Sequence, residues 1–161
     1  MRKRVYIETT IPSFYYTLRT DPESVARMHW TRQWWDSHAE QSELLSSAAV
    51  IAELERGRGD QTEARIALLS NVEMLEINAE VNDIVRIYID RLAMPNDPAG
   101  DALHLALASF HRVDVLLTWN CLHLANPNKM QHIRLLNYEI GLPIPVVTTP
   151  LNYFGGGESD G

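Results

Sequence analysis

The chain has 161 residues, a typical length for one domain with a substantial hydrophobic core. Apolar residues make up 45% of it and charged residues 22%, as in ordinary globular proteins, and no apolar run approaches the roughly 18 residues that span a membrane. The net charge of −7 excludes a protein that binds nucleic acid mainly through a basic surface, so any such contact must be local or must go through a metal.

The first half of the chain alternates strand and helix patterns. Taken in order, it predicts a strand at residues 4–8, helices at 12–18 and 22–38, a weak strand at 43–46, helices at 48–56 and 61–70, and a strand at 74–77. Pro12 and Pro22 suit the first turn of a helix, and Gly57 suits a helix end. Asn78 is expected to cap a further helix, because apolar residues recur at helical spacing from Val81 to Leu92.

The second half has clearer patterns. Asp97 suits a helix N-cap, with Pro98 at the first helical position. The helix predicted over residues 98–111 is apolar on nearly all sides, which is typical of a buried helix. The remaining predicted elements are a strong strand at 113–118, an amphipathic helix at 129–140 and a last strand at 144–148, which Pro145 places at a sheet edge.

This alternation predicts an α/β fold with a parallel sheet. We expect a single domain over residues 1–154 and a disordered tail over residues 155–161. In parallel sheets, ligands bind beyond the carboxyl ends of the strands, where the strand order reverses. Glu8 and Asn120 each close a predicted strand, so they are neighbours if the first and fourth strands are adjacent, a step that periodicity leaves open.

Asp101 stands out as a polar residue in the apolar helix. Its carboxylate is expected to be partly buried, and a buried carboxylate must be paired, protonated or bound to a cation. No Lys or Arg lies within one helical turn, and the nearest polar companion is His104, three positions along on the same side. A simpler interpretation is that Asp101 favours the positive end of the helix dipole.

Two glutamates lie where other predicted elements meet a polar environment. Glu53 borders the apolar stripe of its helix, and it is either a site residue or a solvated glutamate, whereas Glu55 points further from any site. Glu8 closes the first strand, either as a site residue or as ordinary strand-end polarity. The hydroxyls of Thr9 and Thr10 are placed to orient a water or a carboxylate.

Asn120 closes the fourth strand pattern. Its amide oxygen is either a neutral metal ligand or a cap of the following turn, and Asn126 is a weaker companion. If the fold brings Glu8, Glu53, Asp101 and Asn120 together, the carboxylate cluster is costly unless it holds a hard divalent cation.

Other candidate chemistries reduce to structure. A single cysteine, Cys121, excludes an internal disulfide framework and a thiolate zinc site, and it fits a reducing cytosol. The six histidines show no zinc-like spacing, and the sequence contains no glycine-rich phosphate loop. We therefore expect a cytoplasmic protein without a membrane partner.

Four motifs in order carry a resemblance to a known family. They are Tyr-Ile-Glu-Thr-Thr at residues 6–10, the run from Ser47 to Gly57, Asp-Ala-Leu-His-Leu-Ala at 101–106, and Leu-Leu-Thr-Trp-Asn at 116–120. Together they resemble the PIN domain, and most closely the VapC-like ribonucleases of bacterial type II toxin–antitoxin systems. The resemblance runs nearly from the first strand to the last. It implies a three-layer α/β fold, with a parallel five-stranded sheet in the order 3-2-1-4-5 and helices on both faces.

The resemblance also implies a function. It points to an Mg²⁺- or Mn²⁺-dependent ribonuclease in which Glu8, Glu53, Asp101 and Asn120 are the catalytic and metal-binding residues. Supporting roles fall to Thr9, Thr118, His104 and Asn126. The implied partners are an RNA substrate, an antitoxin protein and a second copy of the chain in a homodimer.

Two positions depart from the family pattern. The family usually has Asp at the end of the first strand, where this chain has Glu8, and Asp where this chain has Asn120. Glu8 keeps the charge and adds one methylene, whereas Asn120 keeps an oxygen and loses the charge. Three carboxylates then stand where four are usual, which weakens the binding of a second metal ion.

Two other functions stay open at this point. One is a PIN-like module that binds RNA or a protein partner without cutting, which Asn120 favours. The other is RNA cleavage without a metal through a histidine such as His104 or His123.

Overall fold

The computed structural model describes residues 2–57 and 59–153, so the tail predicted at 155–161 lies outside the described residues. The elements in chain order are β1 (Arg4–Ile7), α1 (Thr10–Tyr15), α2 (Pro22–His38), β2 (Glu43–Ser47), α3 (Ala48–Arg56), α4 (Thr62–Leu68), β3 (Glu73–Leu75), α5 (Ala79–Asp90), α6 (Asp101–Phe110), β4 (Val115–Leu117), α7 (Pro127–Glu139) and β5 (Val146–Thr148). Over the described ranges, none of the helices has the length and apolar character needed to cross a membrane.

The five strands form one sheet in the order β3-β2-β1-β4-β5, and every neighbouring pair is parallel. This confirms the α/β fold and the strand order that the family resemblance implied. β1 pairs with β2 on one side and with β4 on the other. The chain adds β2 and β3 on one side of β1 and then crosses back to add β4 and β5 on the other side, so the strand order reverses between β1 and β4. The carboxyl ends of these two strands therefore form the switch point at which ligands usually bind.

The hydrophobic core is centred on β1, β4 and α6. Val5, Tyr6 and Ile7 of β1 have no exposed surface. Every residue of α6 from Ala102 to Ser109 is buried, as the apolar pattern predicted. The helix is held by its surroundings on all sides, so the residues at its start have fixed positions relative to the sheet.

The predicted start of this helix was wrong. α6 begins at Asp101, and Gly100 is its N-cap, with φ −105° and ψ −130°. Asp97 instead begins a turn, in which its side chain accepts from the Ala99 N–H at 3.1 Å and its carbonyl accepts from the Gly100 N–H at 3.2 Å. Asp and Pro form turns as readily as helix starts, and the local pattern does not separate the two. Asp101 thus lies in the first turn, at the positive end of the helix dipole.

Other boundaries differ by a few residues. The first short helix ends at Tyr15 instead of residue 18, and α5 ends at Asp90. Leu92, which was predicted to continue the apolar face of α5, lies beyond it with φ 60° and 86% exposure. Asn78 caps α5 as predicted, because its side chain accepts from the Val81 N–H at 2.9 Å.

Candidate carboxylate site

The site lies at the carboxyl ends of β1 and β4. Glu8 directly follows β1, and its backbone N–H donates to the Leu117 carbonyl at 3.2 Å, which continues the pairing of the two strands by one step. Thr118 directly follows β4. These two residues open the crevice where the strand order reverses.

Glu8 is a buried carboxylate, with 3% of its surface exposed. Its Oε1 accepts from the Thr10 N–H at 3.0 Å, from the Thr118 hydroxyl at 2.7 Å and from the Thr10 hydroxyl. Burial raises the pKa of Glu8, and the charge of His104 and the hydrogen bonds from Thr10 and Thr118 offset that rise only in part. The carboxylate is therefore held firmly but remains costly to ionise.

Glu53 reaches the same region from α3. Its Oε1 accepts from the Thr9 hydroxyl at 3.0 Å and is hydrogen-bonded to Nε2 of His104. Burial opposes the charge of Glu53, but the hydrogen bond and charge of His104, with smaller effects of Thr9 and Arg56, lower its pKa overall. Glu55 is exposed on the same helix, as the sequence predicted.

His104 is fully buried and connects the site to the core. Its Nδ1 lies 2.8 Å from the Tyr6 hydroxyl, which in turn lies 2.8 Å from the Ser47 hydroxyl. Burial alone lowers the pKa of His104. The hydrogen bond to Glu53 and the charges of Glu8, Glu53 and Asp101 outweigh burial and raise that pKa. The negative charges of all three carboxylates therefore favour the protonated form of one imidazole ring.

Asp101 is half-buried at the start of α6 and is bonded to Asn120. The Asn120 side-chain NH₂ donates to Oδ2 of Asp101 at 3.0 Å. The amide oxygen of Asn120 accepts from the backbone N–H groups of Leu122 at 3.2 Å and His123 at 3.0 Å. These two donors fix the orientation of the amide, because only its oxygen can accept from them.

The supporting residues divide into two groups. Thr9, Thr118 and His104 each bond directly to one of the carboxylates. Asn126 instead caps α7, where its side chain accepts from the Asn128 N–H at 3.0 Å and donates to the Leu122 carbonyl at 2.9 Å. Neither bond reaches a carboxylate.

Sequence reasoning missed part of this arrangement. Tyr6 and Ser47 enter the sequence analysis only as members of the family motifs and, for Tyr6, of a buried strand, without a role of their own. Tyr6 lies on a strand predicted to be buried, and a polar atom there predicts a hydrogen-bond partner without naming it. Ser47 falls between the predicted strand 43–46 and the predicted helix 48–56, so no such signal identified it.

The donor atoms suit a hard cation. Each carboxylate has one oxygen engaged by the bonds above, and within residues 2–57 and 59–153 the other oxygen accepts no hydrogen bond. Carboxylate oxygens are the ligands that Mg²⁺ and Mn²⁺ prefer. Among the described residues, however, no group of three or more His, Cys, Asp or Glu side chains is already converged enough to hold a metal ion. The donor set fits the metal in type, and binding requires the side chains to draw together.

Comparison with known proteins identifies solved structures of similar fold. No protein-family model matches the chain, and no curated protein sequence matches it. VapBC2 from Rickettsia felis, solved bound to a DNA fragment from their promoter, is similar in structure, with a TM-score of 0.57, 15% identity, and coverage of 91% of this chain and 98% of that one. FitAcB from Neisseria gonorrhoeae is similar with a TM-score of 0.53, 12% identity and the same coverage. At these identities the likeness shows a shared fold.

Proposed function

From the PIN-like fold that this chain has, we propose that it is a metal-dependent ribonuclease that hydrolyses phosphodiester bonds of RNA, as the toxin-like component of a type II toxin–antitoxin system. The observation that carries the proposal is the set of three carboxylates from three separate elements. At the switch point of the sheet, Glu53 hydrogen-bonds to His104, and the negative charges of Glu8 and Asp101 also raise the pKa of that histidine. Each of the three carboxylates keeps one oxygen without a hydrogen-bond partner in the described part of the chain.

Glu8, Glu53 and Asp101 would hold Mg²⁺ or Mn²⁺. Such an ion lowers the pKa of a bound water and stabilises the charge that develops on a phosphate during in-line attack. The residues of the chain position the three carboxylates. Thr10 and Thr118 hold Glu8, and Thr9 and His104 hold Glu53.

Asn120 would orient Asp101 instead of binding the metal itself. Its oxygen is already occupied by two backbone N–H groups, and its NH₂ group faces the carboxylate of Asp101. An NH₂ group is a donor and cannot ligate a cation. With three carboxylates as ligands, we propose one metal ion per site.

One local cation, Arg65, supports RNA as the substrate despite the overall negative charge. A cleft of about 330 Å³ beside α1 is lined by Arg19 and Arg65, together with Asp60, Thr17 and Gln61, and Arg19 pairs with Asp21 at 3.4 Å. The guanidinium of Arg65 donates to the Tyr16 carbonyl at 3.2 Å, and no carboxylate of the described residues pairs with it. A half-buried arginine without an acidic partner is suited to an RNA phosphate.

The similar structures support an antitoxin as partner. VapBC2 was solved with a DNA fragment from their promoter, and the family that the motifs resemble pairs ribonucleases with antitoxins. We extend the proposal to a cytoplasmic homodimer that is inhibited by such a partner.

One observation favours a second candidate function. The described His, Cys, Asp and Glu side chains form no group close enough to hold a metal ion, and Asn120 is neutral where the resembled family usually has an aspartate. The alternative is therefore a PIN-like module that binds RNA or a protein without cutting it.

One experiment separates the two functions. A fluorogenic RNA is incubated with the wild-type protein in Mg²⁺ or Mn²⁺, then in EDTA, and with the variants Asp101→Ala and Glu55→Ala. We expect the wild type to cleave RNA only in the presence of metal. Asp101→Ala should lose cleavage while its thermal unfolding temperature stays close to that of the wild type, and Glu55→Ala, at an exposed position, should cleave like the wild type. Undiminished cleavage by Asp101→Ala contradicts the ribonuclease site. Metal binding without any cleavage supports the second candidate, and cleavage that persists in EDTA supports a histidine mechanism.

A further inference from the structure

A buried chain of hydrogen bonds leads from the core to the site. Ser47 lies at the end of β2, Tyr6 in the centre of β1, His104 in α6 and Glu53 in α3. The hydroxyls of Ser47 and Tyr6 are 2.8 Å apart, the Tyr6 hydroxyl is 2.8 Å from Nδ1 of His104, and Nε2 of His104 bonds to Glu53. Four elements that are remote in sequence are thus joined by polar atoms. We call Ser47, Tyr6 and His104 the relay.

The relay fixes the imidazole in one orientation. The ionised carboxylate of Glu53 only accepts, so Nε2 of His104 must be the donor. Nδ1 is then the nitrogen that faces the Tyr6 hydroxyl. Turning the ring over would bring carbon atoms against both partners and leave buried polar groups unsatisfied, which costs roughly 1–3 kcal/mol for each group.

All members of the relay are inaccessible to solvent. Ser47, Tyr6 and His104 each have 0% exposure. Solvent therefore cannot replace a missing partner without opening the core. The position of Nε2, and through it the position of Glu53, depends on the Tyr6 hydroxyl.

We propose that Tyr6 is a positioning residue for metal binding, which acts through His104 to hold Glu53, whose second oxygen accepts no hydrogen bond from the described residues and would serve as the ligand atom. This role rests on the proposed function, because it assigns Glu53 to the metal. This role belongs to the Tyr6 hydroxyl. The ring fills its place in the core with or without that hydroxyl, so core packing alone does not require it.

Tyr88 is a matched control in the same protein. It is also fully buried, and its hydroxyl also bonds to a serine, Ser109, at 3.1 Å and to a second polar side chain, Asn137, at 2.5 Å. The hydrogen bonds of Tyr88 end within the core instead of at a carboxylate of the site. Removing the Tyr6 hydroxyl leaves the Ser47 hydroxyl and Nδ1 of His104 without a partner. Removing the Tyr88 hydroxyl leaves Oδ1 of Asn137 without one, because Ser109 still accepts from Nδ2 of Asn137 at 3.0 Å. Tyr88→Phe therefore controls for the loss of a buried tyrosine hydroxyl away from the site.

The test compares Tyr6→Phe with Tyr88→Phe. Mn²⁺ binding to each protein is titrated by the electron paramagnetic resonance signal of free Mn²⁺. Loss of a residue that orients a metal ligand typically weakens metal binding by about 10- to 100-fold. We expect a loss of at least about tenfold for Tyr6→Phe and an unchanged affinity for Tyr88→Phe.

A second measurement reports on the relay without metal. Long-range ¹H–¹⁵N spectra of the imidazole groups are recorded for the metal-free proteins. The His104 nitrogens are expected to shift in Tyr6→Phe and to stay in place in Tyr88→Phe. If Tyr6→Phe does not fold, Ser47→Ala tests the far end of the relay, and we expect a smaller loss of Mn²⁺ affinity in the same direction.

The possible results separate this role from the proposed function. If the wild type binds Mn²⁺ and the folded relay variant binds it with the same affinity, the role of Tyr6 is overturned and the proposed function is not. A wild-type protein that binds no Mn²⁺ overturns the proposed function, and the role of Tyr6 in metal binding with it.

Discussion

The side chain of Asn120 donates to Oδ2 of Asp101 at 3.0 Å, while its own oxygen accepts from two backbone N–H groups of the following turn. The turn fixes the amide, and the amide fixes the carboxylate at the start of α6. A carboxylate in place of Asn120 would still cap the turn with one oxygen, but it would lose the donor that faces Asp101.

The variant Asn120→Asp is expected to lower stability without metal and to raise the response to metal. The change replaces a donor with a like charge beside Asp101, and we expect it to cost about 2 kcal/mol of unfolding free energy in EDTA. Mn²⁺ relieves the repulsion, so its stabilising effect on thermal unfolding becomes larger than in the wild type. The variant Asn120→Ala removes the donor without adding charge. If Mn²⁺ stabilises Asn120→Asp and Asn120→Ala equally, Asn120 does not govern the charge of the site.

Glu8→Gln is expected to separate stability from activity. Gln keeps an oxygen for the donors Thr10 and Thr118, while it removes a buried charge that burial disfavours. The metal-free variant should therefore unfold at a higher temperature than the metal-free wild type at pH 7. Metal-dependent cleavage should fall by more than about 100-fold, because a metal ligand is lost. The exposed Glu55→Gln serves as control, and a destabilised Glu8→Gln would count against a costly buried charge.

Parts of this arrangement could be predicted from sequence because they depend on local patterns. The apolar runs of β1, β4 and α6 predicted burial, and Glu8 directly follows β1 as its strand-end position predicted. Asn120, predicted to close the fourth strand, instead lies beyond Thr118 and Trp119, because β4 ends at Leu117. The start of α6 was misplaced because Asp97 and Pro98 form a convincing helix start by themselves. The turn that they form instead depends on Gly100, whose added Cβ would come within 2.8 Å of Oδ2 of Asp97.

Other parts depend on contacts that are remote in sequence. Tyr6 and His104 are 98 positions apart, and their hydrogen bond exists only because β1 and α6 pack together. The sequence shows that a polar amide stands at position 120, but the orientation of that amide depends on the backbone N–H groups of Leu122 and His123. A local pattern predicts which side chains are polar, whereas the direction of each hydrogen bond follows from the packed fold.

Tyr88 predicts how stability changes at high pH. Burial raises the pKa of Tyr88 to about 12, against a lowering effect of its bonds to Ser109 and Asn137, whereas a tyrosine in an unfolded chain titrates near pH 10. The native state therefore holds its proton more tightly. The stabilisation is fully present below about pH 10 and is lost as the pH rises towards about 12, by about 2–3 kcal/mol in total.

Denaturant unfolding at a series of pH values tests this expectation. Tyr88→Phe should lose less stability between about pH 10 and 12 than the wild type does. The buried Tyr6, whose pKa is also raised by burial, contributes a loss of the same sign that remains in this variant. Identical slopes in the two proteins would show that Tyr88 does not titrate as a buried group.

The cleft beside α1 gives the last prediction. Arg65 lines it next to Arg19, and its guanidinium is anchored on the Tyr16 carbonyl without a carboxylate partner among residues 2–57 and 59–153. If an RNA phosphate lies there, Arg65→Gln should weaken binding of a short single-stranded RNA by about tenfold at low salt. The slope of log affinity against log salt should become shallower by about 0.7, as for the loss of one phosphate contact on a single strand.

Arg134→Gln is the matched control for this variant, because Arg134 is exposed on α7 and outside the lining of the cleft. It makes the same change in net charge and should leave both affinity and salt slope close to those of the wild type. Equal weakening by the two variants would mean that net charge governs binding, and that the cleft does not. A loss of affinity in Arg65→Gln alone, with a shallower salt slope, would assign an RNA phosphate to this cleft and explain how an acidic protein contacts RNA.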